Sequence, residues 1–190
     1  DSLADTWREL RHVILPAVGI VAMQSFLSAA LVTYLPTFLN REGASFAQAG
    51  GTYSIMQAAG AVGALVTGTL SDRIGRRRVL GALLLAAPVL MLLFLNAPGW
   101  LTMPALIGLG LTALSTNPVL MALTQEYGRN HPATANGIYM TLNFVERSLV
   151  IILVGVLADH FGLRPTYHLC AWMGFAAVPF VWLLPKGKAK

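Results

Sequence analysis

The sequence predicts an all-α polytopic membrane protein, with six transmembrane helices arranged as two inverted three-helix repeats. Three observations carry this reading. First, 56% of the 190 residues are hydrophobic and only 11% are charged, whereas soluble domains carry about 25% charged residues. Second, the apolar residues fall into six runs, each long enough to cross a bilayer core of about 30 Å. Third, a ten-residue phrase after the second run recurs after the fifth.

The predicted spans are Val13 to Phe38, Ala47 to Leu70, Val79 to Leu95, Trp100 to Leu123, Ala135 to Leu157 and Pro165 to Leu184. Between them lie Asn40-Arg41-Glu42-Gly43, Asn96-Ala97-Pro98-Gly99 and Gly128 to Pro132, turn-rich breaks of the kind that join antiparallel helices. Residues 1–12 form an amphipathic lead-in, with Leu3, Trp7 and Leu10 at helical spacing, suited to lie in the membrane interface. This segment is acidic and lacks the apolar core of a signal peptide. Residues 13–184 form the bundle, with repeats of about 13–95 and 100–184, and residues 185–190 form a basic tail.

Orientation follows from the basic residues, because Lys and Arg accumulate on the cytoplasmic side. One side holds Arg8, Arg11, Arg73, Arg76, Arg77, Arg78, Arg129, Lys186, Lys188 and Lys190, and the other holds only Arg41 and Arg164. Both termini are therefore expected in the cytoplasm, with the protein in the inner (plasma) membrane.

The same distribution argues against nucleic acid as a partner. The net charge of +5 is dispersed between apolar spans, where a duplex would require a continuous basic stripe. Cys170 is the single cysteine, which excludes a disulfide framework. No His/Cys/Asp/Glu spacing suggests a metal site, and there is no nucleophile elbow or phosphate-binding glycine loop. Neither an enzyme nor a cofactor is expected.

The repeat aligns GTLSDRIGRR, beginning at Gly68, with GVLADHFGLR, beginning at Gly155. Gly68, Leu70, Asp72, Gly75 and Arg77 match Gly155, Leu157, Asp159, Gly162 and Arg164, 87 positions on. A weaker echo pairs Gly51, Tyr53 and Gln57 with Gly137, Tyr139 and Asn143. A unit of three helices is odd, so the two copies run in opposite directions across the membrane, as inverted repeats do in secondary transporters. In the first copy, Gly68 is expected to allow close helix approach. Asp72 would cap the next helix or accept from an arginine. Gly75 would permit the reversal, and Arg76, Arg77 and Arg78 would hold the loop at the anionic surface.

Gly68 to Val79, GTLSDRIGRRRV, resembles the G-x-L-[SA]-D-R-x-G-R-[RK]-x signature of the major facilitator superfamily. That resemblance implies one six-helix half of a two-half fold, and the chain is most similar to the second half. The missing Met and the acidic lead-in then look like the tail of a central cytoplasmic loop, and KGKAK looks like a C-terminus. The phrase STNPVLMALTQEYGRNHPATANGIYM, beginning at Ser115, is similar to fosmidomycin-resistance-like and related drug exporters. The implied activity is secondary active transport of a small organic solute, as proton-coupled efflux by alternating access. The implied latch is Gly68, Asp72, Arg73, Gly75, Arg76 and Arg77. The implied partners are the bilayer, an N-terminal six-helix half or a second copy of the chain, a small-molecule substrate and protons. A non-transporting six-helix scaffold or ligand sensor is the rival reading.

Polar residues inside spans are costly and so informative. The third span has none and is expected to face lipid. The first, second, fourth and fifth spans carry Gln24, Gln57, Asn117, Tyr139, Asn143, Glu146 and Arg147, the candidate substrate- and proton-binding residues. Isolated charges at the centre of a span cost about 2.5–3.5 kcal/mol each on insertion scales. Adjacent helical residues diverge by about 100°, so Glu146 and Arg147 cannot simply face each other. Glu146 is the candidate proton carrier, and Arg147 could hold a carboxylate or phosphonate. A structural role, as an ion pair locking two halves together, is equally consistent with the sequence. Asn117-Pro118 should break or kink the fourth span, and Gln24 and Gln57 could instead make interhelical hydrogen bonds.

Overall fold

The computed structural model describes residues 3–127 and 132–184, and the described chain is helical throughout apart from short breaks. Arg129 and the basic tail lie outside the described residues. Six helical segments among the described residues are long and apolar enough to cross a membrane: Leu15–Arg41, Phe46–Ile74, Arg76–Asn96, Gly99–Gln125, Asn136–Phe161 and Leu163–Leu183. They coincide with the six spans read from the sequence.

The first span is built from α1 (Leu3–Ser28), a π-helical turn (Ala29–Tyr34) and α2 (Leu35–Arg41). The helical lead-in thus runs into the span without interruption. Pro36 has no N–H for the turn before it, which favours local rewinding of the backbone. Two tyrosines secure the rewound segment. Tyr167 donates its hydroxyl hydrogen bond to the Ala30 carbonyl at 2.6 Å, and Tyr34 donates to the Ile151 carbonyl at 3.0 Å.

The second span is α3 (Phe46–Ile74), opened by a capping box. Ser45 Oγ accepts from the Gln48 N–H at 3.2 Å, and Gln48 Oε1 accepts from the Ser45 N–H at 2.9 Å. It ends at Gly75, whose φ of 100° suits glycine and lets α4 (Arg76–Asn96), the third span, start at once. The fourth span combines a 3-10 turn (Gly99–Leu101), α5 (Thr102–Ala113) and α6 (Thr116–Tyr127). Its break at Leu114–Ser115 lies one turn before Pro118, where the Leu114 carbonyl loses its helical donor. The Asn117-Pro118 expectation is met there. The fifth span lies in α7 (Pro132–Phe161). After Gly162, with φ of 88°, α8 (Leu163–Ala176) and α9 (Val178–Leu183) complete the sixth.

The packing obeys the inverted repeat. The most extensive contacts join α3 with α5, α4 with α5, α4 with α8, α1 with α7 and α1 with α8. Exchanging the first, second and third spans for the fourth, fifth and sixth converts this set into itself. The repeats therefore interlock, since each span's main neighbours include spans of the other repeat.

Close approach depends on glycine at the α3/α5 crossing. A Cβ on Gly63 would lie 2.6 Å from the Leu111 carbonyl oxygen and 2.6 Å from Ser115 Oγ, and one on Gly110 would meet the Met56 carbonyl oxygen. Gly68 does not share this role, because a Cβ there would meet nothing within 4 Å. The expectation fails for Gly68 because the helices cross one to two turns earlier. Its second-repeat counterpart Gly155 does make a close approach, to the Tyr34 hydroxyl.

The two matched arginines make reciprocal bonds. Arg77, at the start of α4, donates to the Trp182 carbonyl at the end of the sixth span at 3.0 Å. Arg164, at the start of α8, donates to the Leu95 carbonyl at the end of the third span at 2.7 Å. Trp182 and Leu95 are themselves one repeat interval apart. Each arginine thus satisfies a helix-terminal carbonyl of the opposite repeat, and its charge complements the negative end of that helix. Arg164 also pairs with Glu42 at 3.0 Å.

The third span is one-sided. Leu80, Leu84, Ala87 and Met91 are buried, whereas Leu85, Val89 and Leu93 are exposed. The second and fifth spans are the least buried and present apolar faces that include Val62, Leu65 and Val66 and, on α7, Phe144, Leu149 and Ile152.

Candidate functional site

The first, second, fourth and fifth spans, the four that carry the candidate site residues, line an open cavity of about 330 Å³. The first span contributes Ser28 and Val32, α3 contributes Gln57, Gly60 and Ala61, the fourth span Leu114 and Asn117, and α7 Arg147. Ser28, Gln57 and Arg147 all lie near the middle of their spans. The break in the fourth span places Leu114 and Asn117 on the wall on either side of the discontinuity.

Of the residues predicted from sequence, Gln57, Asn117 and Arg147 meet in this cavity. Asn143 joins them from behind, its Nδ2 donating to Asn117 Oδ1 at 3.4 Å, a long and weak bond. Arg147 is the one formally charged residue among the lining residues, and among the described residues it forms no ion pair or hydrogen bond. The Gln57 Oε1 atom is buried without a donor.

Glu146, Tyr139 and Gln24 do not line the cavity. Glu146 diverges from Arg147 around α7, as helical geometry requires, and its carboxylate lies beside Ser25 of α1. Both of its oxygens lack a hydrogen-bond partner of good geometry. Tyr139 is buried in a cluster with Ala17, Ile20 and Val21 of α1, with Asn143 and Glu146 as its polar neighbours. Its hydroxyl and both amide atoms of the buried Gln24 are also unpartnered. The polar residues thus separate into a cavity set around Arg147 and a set outside it, in which Glu146 and Tyr139 of α7 lie against α1 and Gln24 is buried.

Ser28, Val32, Gly60, Ala61 and Leu114 were not singled out as ligands by the sequence. A signal existed for Ser28, which follows Gln24 by one helical turn, and for Gly60, which follows Gln57 by three residues. Residues such as Val32 and Leu114 carry none, because a lining aliphatic looks the same as a packed one.

At the motif loop, Asp72 accepts from Arg76 at 3.1 Å, an exposed pair one turn apart. Of the two partners anticipated for Asp72, the arginine is the one seen, and no side chain caps the N-terminus of α4. Arg73 is exposed and Arg77 is engaged by Trp182.

Comparison with known proteins extends this geometry. A family model described as Major Facilitator Superfamily matches residues 2–151. The chain belongs to the major facilitator superfamily. As a member of that superfamily it is a multi-pass membrane protein of a transporter family rather than an enzyme. It is 29% identical over 177 residues to the inner membrane transport protein YnfM of Escherichia coli, covering 86% of this chain and 42% of that protein. It is 28% identical over 180 residues to a probable 4-methylmuconolactone transporter of Cupriavidus pinatubonensis, covering 93% of this chain and 42% of that protein. An uncharacterized MFS-type transporter of Bacillus subtilis, YfnC, is 32% identical over 127 residues, covering 66% of this chain and 31% of the relative. The superfamily member described here spans at most about two fifths of the length of these relatives.

Proposed function

We propose that this chain is one six-helix half of a proton-coupled secondary exporter of small organic solutes. Its partner is a second six-helix unit that supplies the facing wall of the cavity, consistent with the share of its relatives' length that it spans. Transport proceeds by rocking of the two units about a site near the midplane. The observation that carries the reading is the cavity itself. Four spans from both inverted repeats bring Ser28, Gln57, Asn117 and Arg147 to one hollow, and a scaffold has no use for an unpaired charge there.

In this mechanism Arg147 and its neighbours hold the solute, and Glu146 exchanges the proton on the adjacent face of the same helix. The exposed Asp72 and Arg73 at the end of α3, with Arg76 at the start of α4, act as a latch made against the second unit and broken during the cycle. The bias of basic residues supports a cytoplasmic location for both termini of an inner-membrane protein. The name of the Cupriavidus relative supports a small organic solute as cargo.

The test uses everted membrane vesicles carrying the full-length protein, energised by an imposed pH gradient. Solute uptake is expected to dissipate the gradient in proportion to flux. Glu146→Gln is expected to abolish that dissipation while leaving solute exchange at equal pH intact. Proton movement that persists unchanged in Glu146→Gln would reject this assignment of the coupling site.

A further inference from the structure

The wall that this chain contributes to the cavity has a definite electrostatic sign. It carries one formal charge, Arg147, and that guanidinium has no ion-pair or hydrogen-bond partner among the described residues. The carboxylate next to it in sequence does not neutralise it, because Glu146 turns toward Ser25 of α1 and is not part of the wall. A cationic ligand would meet a like charge in a low-dielectric setting, and a neutral one would leave the arginine uncompensated. An anion resolves both.

The neutral groups narrow the class. Gln57 Oε1 is a buried acceptor with no donor, so it calls for an O–H or N–H on the ligand. Asn117 Oδ1 already accepts from Asn143, which leaves the Asn117 amide N–H groups to donate toward the anion. Val32, Gly60, Ala61 and Leu114 form the apolar remainder of the wall. One guanidinium balances one negative charge, and its planar fork matches the two oxygens of a carboxylate. A phosphate or phosphonate dianion would bring surplus negative charge.

We infer that the cavity takes a small organic monocarboxylate carrying a hydrogen-bond donor, with its carboxylate on Arg147 and its donor on Gln57. This assignment rests on the transporter reading above and names the cargo of the same site.

Liposomes containing the full-length protein, compared with protein-free liposomes, test it with four labelled probes: mandelate, phenylacetate, the neutral mandelamide and the bilayer-impermeant cation choline. Mandelate is expected to show saturable flux, phenylacetate to be several-fold slower for want of the hydroxyl, and mandelamide and the cation to be slower by about tenfold or more. Arg147→Gln should cut mandelate flux by about tenfold or more, and Arg147→Lys should retain part of it. Thermal unfolding establishes that each variant is folded, and the wild-type probe series stands even where a variant is not. Protein-dependent flux of mandelamide or choline equal to that of mandelate, or full mandelate flux in a folded Arg147→Gln, overturns the monocarboxylate assignment while leaving transport intact. Absence of protein-dependent flux for every probe overturns the transporter reading along with it.

Discussion

Replacing Arg164 by alanine should measurably destabilise the six-helix unit. The side chain makes two bonds with one fork: Nη1 to Glu42 at 3.0 Å and Nη2 to the Leu95 carbonyl at 2.7 Å. The ion pair is half exposed on both sides, so it contributes about 0.5 kcal/mol or less. The bond to Leu95 is partly buried, involves a charged donor and satisfies a helix-terminal carbonyl, for which about 1.5 kcal/mol is reasonable. Arg164→Ala should therefore cost about 2 kcal/mol, and Glu42→Gln about a quarter of that. At about 2–4 °C per kcal/mol for a unit of this size, the melting temperature should fall by about 4–8 °C. Arg77→Ala loses a single exposed bond to Trp182 and should cost about 1 kcal/mol. The two arginines sit at opposite ends of the same helix pair, so the double variant should be additive within about 0.5 kcal/mol. Thermal unfolding of the purified full-length protein in detergent reads these shifts. An Arg164→Ala shift no larger than that of Glu42→Gln would refute the reasoning, because the carbonyl bond would then contribute nothing.

Glycine substitutions should split by position. Gly110→Ala drives a methyl into the Met56 backbone and should cost about 1–3 kcal/mol, whereas Gly68→Ala, which meets nothing within 4 Å inside α3, should stabilise by about 0.5–1 kcal/mol and raise the melting temperature. Gly75→Ala and Gly162→Ala each force a side chain into positive φ and should each cost about 1–2 kcal/mol, also measured by thermal unfolding. Tyr167→Phe removes the buried bond to Ala30 and should cost about 1–2 kcal/mol, with faster amide exchange in the π-helical turn. Asp72→Asn, at normal abundance, should change the transport rate without shifting the melting temperature by more than about 1 °C, since its pair with Arg76 is exposed. An unchanged rate would remove the latch.

The spans, their breaks and the repeat were legible because each rests on local chemistry. Apolar length marked the helices, Pro118 marked the break in the fourth span, and Gly75 and Gly162 marked the reversals. What could not be read was the direction each side chain faces within a span. Gln24, Tyr139 and Glu146 looked as suited to a cavity wall as Gln57 and Arg147, yet Tyr139 and Glu146 turn from α7 toward α1 and Gln24 is buried away from the cavity. Their placement depends on which neighbour each helix meets, a consequence of the interlocked packing of the repeats. The third span's lack of polar residues did not make it an outer helix: one face is open at Leu85, Val89 and Leu93, the other is core, and the second and fifth spans are less buried. The alignment of Arg77 with Arg164 held the clue to the reciprocal bonds. Using it required knowing that the third and sixth spans pack antiparallel, which brings each arginine to the other's helix end.

Alternating access at the cavity is the central claim, and thiol accessibility tests it most directly. Ala61 lines the cavity and is exposed, while Cys170 is buried. Ala61→Cys in a full-length protein otherwise free of accessible thiols is treated with a membrane-impermeant maleimide in right-side-out and in everted vesicles. The account predicts labelling from both sides, because the cavity opens to each in turn. Labelling confined to one side under every condition of pH and solute would contradict it.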